Sequence, residues 1–256
     1  MSPLVTSLIV FLCVFSSALV GVFVSPRLPS DHVSQSSKDV VRLAMALVST
    51  TVAVALGLLI SSAKSFYDTQ NNEVTQLAAN YIVLDQVLAF YGPETRGARS
   101  GLRDGLANLL GDGGYLHSIN RSDNAYANIK SGSHLQQDVF AAVQGLSPKD
   151  DNQRALKAEA RSVVFQIGQT RWLIFEQNAV PVPKLLLCML GTWLILLFLS
   201  FGIFAPRNLT VLVGLFLAAL AVSGAILLIL EMYHPQLGLI RVSDAPLRAA
   251  LAQIGQ

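Results

Sequence analysis

GLLISSAKSFYDTQNNEVTQLAANYIVLDQVLAFYGPET, residues Gly57 to Thr95, opens in side chains suited to lipid and closes in side chains suited to water. Between Gly57 and Gly92 it holds no glycine or proline, the two residues that most readily break a helix. Past Lys64, the apolar positions Val74, Leu77, Ala78, Tyr81, Leu84, Leu88 and Tyr91 recur at helical spacing. Val83, Val87 and Phe90 thicken that stripe, which predicts packing on two sides. The stretch therefore reads as one unbroken helix that leaves a membrane and continues far into solvent, stopped by Gly92-Pro93.

The rest of the chain fits such a helix. With 52% hydrophobic and only 13% charged residues, the 256-residue chain is too apolar for an ordinary soluble protein. A membrane helix needs about 20 consecutive apolar residues. Leu4–Val24, Leu43–Ala63, Leu185–Ala205 and Leu209–Leu230 each qualify, and none contains Asp, Glu, Lys, Arg or His. Arg42, Lys64, Lys184, Arg207 and Glu231 stand at their edges, where charges reach the interface. The first span has no positive residue ahead of it and is longer than a signal core, so a retained span is expected. Cys13 and Cys188 lie within spans without metal-ligand spacing and are expected to be buried thiols.

The expected fold class is an all-α integral membrane protein: four transmembrane helices with a helical soluble domain inserted between spans 2 and 3. The segments are 1–63 for the first two spans, 64–182 for the soluble domain, 183–232 for the last two spans, and 233–256 for a tail. Four spans put both termini and the large loop on one side. Lys64, Arg171, Lys184, Arg241 and Arg248 lie on the large-loop side, against Arg27, Lys38, Arg42 and Arg207 on the other. That near-balance decides almost nothing under the positive-inside rule.

Within the soluble domain, a second helix is expected from Glu94, with Ala98, Leu102, Leu106 and Leu109 inward and GDGG at 111–114 as a turn. Residues 115–133 carry no clear pattern. Leu135, Val139, Ala142, Val143 and Leu146 mark a third helix. SPKD at 147–150 predicts the start of a fourth, with Ser147 as N-cap and Asp150 as its capping-box partner. That helix carries Leu156, Val163, Val164, Ile167 and Ile174, and stops before PVP at 181–183.

Enzyme signatures are absent: no Walker loop, GxGxxG, GxSxG, HExxH or CxxC occurs. No enzyme activity and no cofactor are expected. His32, His117, His134 and His234 are far apart, and Asp112, His117 and Asp123 have no metal-site spacing, so no metal is expected either. The net charge of +2, without a basic cluster, argues against nucleic acid. Ion-coupled transporters keep ionisable groups at membrane depth, and these spans hold none.

A passive path remains open. Thr50, Gly57, Ser61, Ser65 and Asp68 fall on roughly one face of a continuous helix, with Lys64 beside them at the mouth. They are candidates to line an aqueous path; alternatively Ala53, Gly57 and Ser61, four apart, mark close helix packing. Four spans are too thin to surround water alone, so a pore requires an oligomer with span 2 near its axis. The extended helix would then carry movements of the soluble domain to the membrane, or serve as a stalk for a partner-binding domain. Arg96, Arg99 and Arg103 share a face that could concentrate anions. Glu94 and Asp104 stand close by, and 12 basic residues face 12 acidic ones over Lys64–Lys184, so a solvated helix face explains them as well.

Three stretches, KDVVRLAMALVSTTVAVALGLLISSAKSFYDTQNNEVTQLAANYIVLDQVLAFYGPET, RWLIFEQNAVPVPKLLLCMLGTWL and HPQLGLIRVSDAPLRAALAQI, resemble the bestrophin-like domain family of mostly bacterial membrane proteins. In the last, Pro235 and Gly238 match the family's proline and glycine after the final span. The resemblance covers most of the chain from about Lys38. It implies a bacterial inner-membrane protein in contact with the lipid bilayer, with cytoplasmic termini and a cytoplasmic 64–182 domain. By likeness to true bestrophins it further implies a homo-oligomer, pentameric, passing an inorganic anion along span 2. Two departures limit it: VSTTVAVALGLLISSA lacks the aromatics of a bestrophin neck, and Tyr233 to Val242 lacks the acidic run that binds calcium in animal bestrophins. Neither the neck nor the calcium site is carried over. The alternative is a membrane-anchored sensor or scaffold whose helical domain binds a protein.

Overall fold

The computed structural model describes residues 2–27, 35–111, 137–178, 184–233 and 240–255, and every regular element among them is helical. The helices are α1 (Pro3–Val24), α2 (Gln35–Tyr91), α3 (Arg96–Gly111), α4 (137–145), α5 (Asp151–Asn178), α6 (Lys184–Phe204), α7 (Leu209–Tyr233) and α8 (Ala245–Gln253). α1, α2, α6 and α7 are each long and apolar enough to cross a membrane. The chain divides into two compact units, Met1–Phe66 with Pro181–Tyr233, and Tyr67–Val180 with His234–Gln256. α2 runs unbroken from one into the other, 57 residues in all.

In the first unit α1 packs against both α6 and α7. Small residues set the distance. Gly21 of α1 faces Gly202 of α6 so closely that a Cβ on either would meet the other helix's backbone, at Leu199 and at Ala18. Such contacts are how membrane helices associate, because lipid supplies no hydrophobic drive between apolar surfaces. Ser223 of α7 donates its hydroxyl to the Ser7 carbonyl of α1 at 2.7 Å, worth about 0.6 kcal/mol on average for such bonds. Phe216 meets Phe11 and Phe15 edge-on. α2 contributes Val52, Leu59 and Ala63 to the buried cluster, together with Leu190, Leu194 and Ile229. Cys13 and Cys188 are free but exposed on their helices, contrary to the expected burial. In a membrane span an apolar side chain is comfortable facing lipid, so burial within the chain is not required.

The second unit has its own core. Val74, Leu77, Tyr81, Leu84 and Leu88 of α2 are buried with Leu102 and Leu106 of α3, Val139 and Val143 of α4, and Val163, Ile167 and Ile174 of α5. The predicted stripe of α2 is thus the buried one. Of the residues expected to give packing on a second side, Val87 packs against this core, whereas Val83 and Phe90 are exposed among the described residues, Phe90 to 77%. One apolar face is enough to bury a helix edge, and among the described residues no element covers the other.

α2 ends at Gly92, whose φ of 134° suits only glycine. The buried Thr95 hydroxyl then donates to the Leu88 carbonyl at 2.5 Å, closing the last turn. A 3₁₀ turn, Pro93–Thr95, precedes α3, so α3 begins two residues after the expected Glu94. The start of α5 is shifted too. Asp150, rather than Ser147, caps it, accepting from the Gln153 amide at 2.7 Å, while the Gln153 side chain accepts from the Lys149 amide at 2.8 Å. A carboxylate is a stronger acceptor than a hydroxyl and complements the helix dipole. The C-terminal segment is part of this core, with Val242, Leu247, Ala250 and Ile254 buried.

The GDGG turn beyond Gly111, residues 115–133, Leu135, the PVP at 181–183, His32, His117, His134, His234, Asp112, Asp123, Pro235 and Gly238 lie outside the described residues.

Candidate functional site: the outer face of α2 in the membrane unit

Thr50, Gly57, Ser61, Lys64 and Ser65 are all exposed, on the side of α2 away from Val52, Leu59 and Ala63. Helical geometry explains the grouping, since steps of seven, four and four residues return to nearly the same direction at 3.6 residues per turn. Nothing lies within 4 Å of a Cβ placed on Gly57. Ala53 is exposed as well. Ala53, Gly57 and Ser61 therefore do not serve packing among the described residues, unlike Ala63, Gly21 and Gly202.

The face changes character along its length. Leu43 and Leu47 are exposed apolar residues ahead of Thr50, and Val54 and Leu58 flank the face farther on; Gly57 and Ser61 leave a low-relief, weakly polar strip, and Lys64 and Ser65 follow. Thr50 is less polar than its formula. Its hydroxyl donates back to the carbonyls of Ala46 and Leu47, at 2.7 and 3.0 Å, so its proton is committed to the backbone. Asp68, the last of the predicted face, is half-buried in the second unit. Near the same end, Ser62 and Tyr233 hydroxyls lie 3.1 Å apart, fixing α2 to the end of α7.

The three arginines of α3 do not act alike. Arg99 is bound bidentately to the buried Asp85, at 2.7 and 2.8 Å, and that bonding raises the already high pKa of its guanidinium. Asp85 also accepts from the Gly255 amide at 3.2 Å. Asp85 therefore ties α2, α3 and the C-terminal segment together, and the charge of Arg99 is cancelled locally. Arg96 and Arg103 are exposed. Lys149 meets Glu94 at 2.6 Å, which lowers the Glu94 pKa and raises that of Lys149.

Several features were not legible in the sequence. Glu231, at the edge of the fourth span, is 3% exposed instead of reaching toward water. Glu73 accepts from Gln177 at 2.6 Å; burial outweighs that bond and lifts its carboxyl above the ordinary 4.5. The Glu73–Gln177 pairing leaves no local spacing to recognise, because the two lie 104 positions apart. Among the described residues no group of three or more His, Cys, Asp or Glu is placed to hold a metal.

A family model described as a Bestrophin-like domain matches residues 12–247, nearly the whole chain. No curated protein and no solved structure matches it.

Proposed function

We propose that this chain, which belongs to the Bestrophin-like family, assembles as a homo-oligomer around a passive anion path lined by the outer face of α2. The family and the four apolar helices make it a membrane protein. The observation that carries the further step is the exposure of Thr50, Gly57 and Ser61 within a span, on a face that the described residues leave uncovered. Exposed Leu or Val in a span needs only lipid; a low-relief face with a hydroxyl and a lysine beyond it suits water and ions better. Lys64 would act at the mouth, raising the local anion concentration through its field. The pentameric number and the cytoplasmic placement of the termini and of 64–182 follow from the family resemblance, and no catalytic step is part of the proposal.

Chloride flux from proteoliposomes tests it. Thr50→Leu and Ser61→Phe should each cut flux by about tenfold or more while leaving the assembly's mass unchanged, since both positions are exposed on α2. Unchanged flux in the folded variants would remove α2 from the path. One observation favours a scaffold instead: Phe165 and Trp172 of α5 are 57% and 54% exposed in the second unit. Exposed aromatics of this kind are common at protein interfaces. That function predicts no conductance at all.

A further inference from the structure

A groove of about 390 Å³ opens in the membrane unit between α2, α6 and α7. It lies where α6 ends and α7 begins, at the edge of the spans. Met45, Phe201, Phe204 and Leu215 give it apolar walls, Ser200 lies along it, and Arg42 stands at its mouth. Arg42 is one helical turn ahead of Met45 and immediately precedes the span, so its guanidinium belongs at the depth of lipid headgroups. Its ion pair with Asp39 is long, 3.8 Å, and both side chains are more than half exposed, a pairing that contributes little.

We propose that this groove binds an anionic phospholipid, with an acyl chain along the apolar walls and the phosphate on Arg42. A guanidinium matches a phosphate bidentately, and basic pockets between membrane helices take such headgroups. A free anion fits poorly, because apolar walls offer nothing to replace its hydration. A second copy fits less well too, since the centres of protein interfaces are depleted of charge. The inference rests on membrane placement alone and is independent of ion flux. Lipid retention and chloride flux are separate readouts, so either can fail without the other.

Native mass spectrometry of the full-length protein, exchanged into detergent with equal phosphatidylglycerol and phosphatidylcholine, provides the test. The wild type should retain phosphatidylglycerol about fivefold over phosphatidylcholine, the preference expected of one arginine near the surface. Arg42→Gln should bring that ratio to about one, and Arg42→Lys should restore most of it. Ala46→Trp, which fills the groove without changing charge, should lower retention of both lipids. An unchanged ratio in Arg42→Gln, or unchanged retention in Ala46→Trp, would overturn the proposal. So would displacement of the lipid by inorganic phosphate, which marks a free-ion site, or cross-linking to another copy of Phe201→Cys, made with Cys13 and Cys188 replaced by serine, which marks a protein interface at the groove.

Discussion

At Glu73, burial and hydrogen bonding pull in opposite directions, and burial wins. One carboxylate oxygen accepts from Gln177, while the other, and the Gln177 amide oxygen, are buried without a partner among the described residues. A carboxyl whose folded pKa is raised stabilises the fold most below its ordinary value of 4.5. That contribution is lost as pH rises through the folded value. Glu73→Gln removes the charge and adds a donor that can meet the Gln177 oxygen. Thermal unfolding should show the variant more stable at pH 7, by about 1 kcal/mol for the bond gained, with the advantage shrinking toward pH 4. Equal stability at pH 7 would mean that the carboxylate is already satisfied. Nothing in the local sequence announces this pair, since Glu73 and Gln177 are 104 positions apart. Gly92 was legible by contrast, because glycine followed by proline at the end of an apolar stripe has a local cause.

Among the elements, α2 was the most readable and α5 the least. An uninterrupted stripe fixed the buried face of α2 from Val74 to Tyr91, while the start of α5 moved from Ser147 to Asp150 because two adjacent segments each offered a cap. Val83 and Phe90 misled, since apolar character identifies a face that prefers to be covered but not what covers it. Glycines in spans were ambiguous for the same reason. Gly202 lies against Ala18 and Gly21, whereas Gly57 meets nothing; yet both are single glycines in apolar runs. The structure separates them, and a pair of substitutions checks the distinction. Gly202→Val should force α1 and α6 apart and sharply reduce the yield of folded protein in detergent, as judged by size-exclusion chromatography. Gly57→Val should leave yield unchanged. Equal losses in both would mean that Gly57 is also a packing position, against another copy of the chain.

For the molecule as a whole, four spans cannot enclose water and still bury their helices, so the proposed anion path stands or falls with assembly. The exposed small-residue face of α2 acquires a purpose only if further copies meet around an axis. Subunit number is a property of surfaces between chains, which is why neither the hydrophobic pattern nor the intrachain core specifies it. The most direct measurement is the mass of the detergent-solubilised protein by native mass spectrometry, with bound detergent and lipid resolved. A stable ring-sized oligomer, pentameric by family resemblance, is the predicted result and would make α2 a wall of an axial path. A monomer or dimer would leave too few helices to surround that path, and α2 would then be a stalk carrying the helical unit.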